Sequence, residues 1–145
     1  MYKFLILLHI ITSSVFIVVA IAITARSIAG WSKNLNYSKI DKYLKNLFMV
    51  LLYLTLVHGI IMYFFIDPAS KSAVDIQHAT KRASLRFWVV EHFYFMTFAL
   101  FLAQIGGIFI SKTTIDKNRF AYASFYYGIA TFITVISVTF YFIYR

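Results

Sequence analysis

Four apolar runs, each reaching the ~20 residues that a helix needs to cross the hydrocarbon of a bilayer, fill most of this sequence. They cover residues 4–25, 47–66, 87–110 and 120–143. A helix pairs its own backbone groups, so it can pass through lipid without stranding an N–H or a C=O. The expected fold is therefore all-α, an integral membrane four-helix bundle in one domain over residues 1–145. Short connections make successive helices antiparallel neighbours, and the expected threading is up-down-up-down.

Composition supports this and narrows the function. Hydrophobic residues make up 61% of the chain and charged residues 13%, where a soluble domain carries about 25% charge. One small core could not hide so much apolar surface, which excludes a soluble enzyme. The first run follows Lys3 and is longer than the h-region of about 7–15 residues in a signal peptide, so a retained helix is expected. No cysteine is present, which removes disulfides, thiolate metal sites, iron–sulfur clusters and cysteine nucleophiles. The net charge of +9 sits in short loops beside apolar runs, where anionic lipid rather than nucleic acid is the partner.

The loops are expected at 26–37, 67–84 and 111–119. Gly30 and the polar residues after Trp31 read as the end of the first helix. Ser38 with Asp41 three residues on reads as a capping box, so the second helix starts in water and enters the membrane near Leu47. Asp67-Pro68 reads as a helix stop.

Each run carries a stripe of small or polar residues that lets helices approach. The stripes are His9, Ser13, Phe16 and Ala20; then Leu51, Thr55, His58 and Met62; then His92, Met96, Ala99, Ala103 and Gly106; then Ala123, Tyr127, Ala130, Thr134, Ser137 and Tyr141. Leu, Ile and Phe on the other faces are left for lipid. Arg26, Lys33, Lys39, Lys42, Lys45, Lys112, Lys117 and Arg119 flank the first and third loops. Lys3, Lys71, Lys81, Arg82, Arg86 and Arg145 fall on the other side. The larger set is expected in the cytoplasm, with both termini outside.

His9, His58 and His92 lie inside the runs, where an ionisable group is costly and faces the bundle interior. Their depths, at 1.5 Å per residue, are roughly 8, 12 and 8 Å from one and the same membrane face. Neutral imidazoles that meet in a dry place suit a metal. One solution is haem, its iron held by two axial imidazoles on diagonal helices, His9 and His92, with His58 at the ring edge or as an alternative ligand. The other is copper or zinc held by His9, His58 and His92 with an open position. Met96 and Ala99 leave apolar room for a macrocycle beside His92. Arg86, with Lys81 and Arg82 farther out, is placed to meet propionates. Tyr141 and Tyr144 enter the same layer as hydrogen-bond donors, and Glu91 is placed to pair with Arg86. His78 falls in a polar loop and reads as solvated. A third reading keeps the histidines as interhelical glue.

Leu8-His9, His58-Gly59 and Arg86…Glu91-His92…Met96, with Gly106 farther on, together resemble a family of small four-helix membrane proteins from Bacteroidetes labelled "cytochrome b". The resemblance covers most of the chain. It implies b-type haem, electron transfer and a bacterial inner membrane. A further histidine near the start of helix four would belong to that pattern, and Arg119, Tyr122 and Tyr126 stand there instead.

The expected function is electron transfer through haem b between a quinol and a partner protein, with a larger membrane complex or a homo-oligomer as the expected assembly. The alternatives are a copper or zinc site and a non-catalytic accessory subunit. Phosphate-binding loops and Ser–His–Asp arrangements are not recognisable, and Glu91 is the one acid within a span.

Overall fold

The computed structural model describes residues 2–65 and 90–143. Those residues form four helices and no strand. Helix α1 is Tyr2–Ser32, α2 is Lys39–Phe65 and α3 is His92–Lys112. Helix α4 runs without a break through Asp116–Tyr122, a π-helical turn Ala123–Tyr127 and Gly128–Ile143. All four are long and apolar enough to cross a membrane.

Two helix ends differ from the expected loops. Helix α1 continues through Gly30 to Ser32. Its 31 residues make it ~46 Å long, well beyond ~30 Å of hydrocarbon. Gly30 is needed there because a Cβ would stand 2.5 Å from the Phe120 ring. The stop comes four residues later. Asn34 takes the left-handed conformation, φ 51°, and the Leu35 N–H reaches back to the Gly30 carbonyl at 3.0 Å. That is the Schellman way of closing a helix. The third loop is also shorter than expected, since α3 ends at Lys112 and α4 begins at Asp116.

The start of α2 follows the expected capping box. The Ser38 N–H donates to Asp41 Oδ2 at 2.8 Å, and the Asp41 N–H donates to Ser38 Oγ at 3.4 Å. Asp41 also receives Arg26 Nε from α1 at 2.8 Å. One carboxylate thus caps α2 and ties it to α1.

Packing follows from these contacts. Helix α1 packs chiefly on α2 and α4, and α3 on α2 and α4, so α1 and α3 are diagonal. In α3 the expected stripe is the buried one: Met96, Ala99, Ala103 and Gly106 face inward, joined by Ile110. In α4 Ala123, Tyr127, Ala130, Thr134 and Ser137 are buried. In α2 the inner line is Phe48, Leu52 and Thr55, so two large residues assigned to lipid lie inside. They do so because the centre is aromatic: Phe48 stacks on Tyr127 at 4.6 Å and meets Phe16 at 5.2 Å. Outside, Val18, Phe101 and Phe132 are each more than 60% exposed, as an apolar solvent requires.

Candidate functional site

Imidazoles from three helices stand at the end of the bundle formed by early α1, late α2 and early α3. His9 lies within electrostatic reach of both His58 and His92. A Cβ placed on Gly59 would stand 3.8 Å from His9 Cε1, so the His9 ring rests against the α2 backbone. Late α4 completes the layer: His92 Nδ1 and Ser137 Oγ are 2.7 Å apart. Ser137 is fully buried.

Nδ1 of His9 and Nδ1 of His58 are buried with no hydrogen-bond partner among the described residues. Leaving such an atom unpaired costs about 1–3 kcal/mol. Two such nitrogens share this layer. Ser137 gives His92 the complementary property. When Nδ1–H donates to Ser137 Oγ, the lone pair is left on Nε2, the arrangement common to metal-bound histidines.

Neutral imidazole nitrogens are the donors that a haem iron would take. His9 and His92 come from the diagonal helices, as that ligation needs. Met96 is buried one turn beyond His92, with Ala99 another turn on, so the wall next to the ring layer is apolar and narrow-sided. Among the described residues, no three of His, Cys, Asp and Glu gather closely enough to hold a metal ion. Arg86, Lys81, Arg82 and His78 lie outside the described residues, and so does the side chain of Tyr141.

Sequence reasoning placed Ser137 on the inward stripe of α4 but did not assign it to His92. The signal was available, since Ser137 is about as far from the end of α4 as His92 is from the start of the third apolar run. Tyr127, buried with an unpaired hydroxyl at the π-helical turn, was read only as packing. No family model, curated protein or solved structure matches the chain.

Proposed function

We propose that this chain is a multi-pass membrane protein of electron transfer that holds b-type haem between His9 and His92. One observation carries it: at a single end of the bundle, His92 is hydrogen-bonded to Ser137, while buried nitrogens of His9 and His58 lack partners among the described residues. The resemblance to small "cytochrome b"-like proteins of Bacteroidetes points the same way. When bound, haem b would supply a one-electron couple.

The chain's own residues account for the rest. Ser137 fixes the His92 ring and the position of its Nε2. His58 lies beside His9 and would stand at the edge of the group when bound. Met96 and Ala99 keep water from the layer. Arg86 and Tyr141 are proposed to meet the polar edge of the group. The proposed threading is up-down-up-down. It is supported by cross-contacts that pair late α1 with early α2, through Arg26 and Asp41, and early α3 with late α4, through His92 and Ser137. The exposed apolar faces suit a lipid bilayer, and the proposal adds an inner membrane, a quinol as electron source and a larger complex as sink.

Protein purified in detergent should give a reduced-minus-oxidised difference spectrum with Soret and α bands. His9→Ala and His92→Ala should each abolish it. A well-folded sample without these bands would remove haem. Copper or zinc in that sample by elemental analysis would then point to a small-ion site, and its absence to histidines that only bind helices together.

A further inference from the structure

The end of the bundle opposite the histidines carries an open groove of about 370 Å³. Lys39, Lys42 and Lys45 line it from the first turns of α2 and Arg119 from the start of α4, with Tyr37 and Ser111 between them. Among the described residues no carboxylate lines it. Of the adjacent acids, Asp41 holds Arg26 and the Ser38 cap, and Asp116 accepts from the groove's own Arg119 at 3.2 Å, while none pairs with Lys39, Lys42 or Lys45 among the described residues.

Two of the cations are fixed in advance. Arg119 Nε donates to the Thr113 carbonyl at 3.0 Å, and its guanidinium lies over the Tyr37 ring at 5.2 Å. Lys45 Nζ donates to Ser111 Oγ at 3.2 Å. The Lys45 charge is opposed by those of Lys42 and Arg119. Like charges three or four residues apart on a helix destabilise it. A fold that gathers three lysines and an arginine around one hollow, and answers only the arginine with a carboxylate among the described residues, has prepared a place for an anion. The size lies within the range of about 300–1,000 Å³ usual for small-molecule sites. A phosphate offers several charged acceptor oxygens, which match convergent ammonium and guanidinium donors and nearby hydroxyls.

We infer that this groove is a binding site for a phosphate group, carried either by an anionic lipid headgroup or by a soluble phosphate compound. The apolar stretches of α2 and α4 begin just beyond it and that of α3 ends there, so the groove lies at headgroup level in the proposed membrane setting. The inference does not depend on haem, which is proposed for the far end.

The test measures thermal stabilisation of delipidated full-length protein as a function of added probe. The probes are phosphatidylglycerol, phosphatidylcholine and inorganic phosphate. The variants are Lys42→Gln/Lys45→Gln in the groove and Lys33→Gln/Lys112→Gln outside it, with the same change in charge. Phosphatidylglycerol or phosphate should stabilise the natural chain, and the groove pair should weaken that response about tenfold. The outer pair should leave it within about twofold, and Lys45→Arg should preserve it. A response to phosphatidylglycerol alone assigns the site to a lipid headgroup. A response to inorganic phosphate assigns it to a soluble phosphate. Lys42→Gln alone, at an exposed position, should act in the same direction without disturbing the fold. No response to either anion, or equal loss in both pairs, would overturn the site.

Discussion

A histidine in hydrocarbon is tolerated when another polar group answers it. For His92 that group is the buried hydroxyl of Ser137 at 2.7 Å. Ser137→Ala would leave an imidazole nitrogen without this partner and the ring less firmly oriented. Loss of such a supporting contact usually lowers metal affinity by about 10–100-fold. The variant is expected to bind about tenfold less haem per protein and to lose about 1 kcal/mol of stability. Ser137→Thr keeps the hydroxyl and should retain most of both. Haem content measured by pyridine haemochrome, alongside the midpoint of thermal unfolding, separates orientation from simple destabilisation. Unchanged haem content in Ser137→Ala would show that Ser137 does not position the ligand. That His9, His58 and His92 lie at similar depth can be read from the sequence, because depth along a helix can be counted. The pairing with Ser137 was not, because depth alone does not tell which of several inward residues will touch.

Among the elements, small residues made α3 and α4 readable. Ala99, Ala103, Ala123 and Ala130 leave room only if another helix comes close, and all four are buried. The same rule failed for α2, where Phe48 and Leu52 rather than small residues face inward. Side-chain size predicts close approach but not an aromatic centre. The cap at Ser38 was legible because a capping box is a local pattern. The end of α1 was not: Gly30 had two possible uses, a stop or a notch, and only the position of Phe120 decides between them. Gly106 is a similar notch between α3 and α4, where a Cβ would stand 2.5 Å from Tyr126 Cβ. Both the neighbouring atom and its backbone would have to move. Gly106→Ala should therefore destabilise the bundle by about 1–3 kcal/mol. At Gly128 the nearest atom is Thr24 Cγ2 at 3.6 Å, an ordinary contact, so Gly128→Ala should change stability by less than about 0.5 kcal/mol. Unfolding in graded denaturing detergent compares the two. Equal midpoints would mean that α3 and α4 are not in close contact at Gly106.

At the scale of the whole molecule the two ends of the bundle differ in chemistry. One end has the imidazoles of His9, His58 and His92, and the other has lysines and an arginine around a groove. This polarity bears on orientation. Cations near the ends of spans tend to stay in the cytoplasm, and the groove end holds the larger share of them. The groove is thus expected to face the cytoplasm and the histidine layer to lie towards the outer face. The absence of cysteine makes this directly measurable, since a single introduced thiol is the only one in the chain. Asn34→Cys follows α1 and Asn118→Cys lies in the first turn of α4, both at the groove end. Ser70→Cys lies between α2 and α3 in sequence and belongs to the other side in the proposed threading. In intact cells with a permeable outer membrane, a membrane-impermeant maleimide should label Ser70→Cys and spare the other two until the inner membrane is opened. Labelling of Asn34→Cys and Asn118→Cys in intact cells, with Ser70→Cys spared, would invert the orientation. It would turn the phosphate groove towards the outer leaflet and the histidines towards the cytoplasm. Labelling of all three in intact cells would contradict the alternating threading itself, because that threading puts Ser70 across the membrane from the other two.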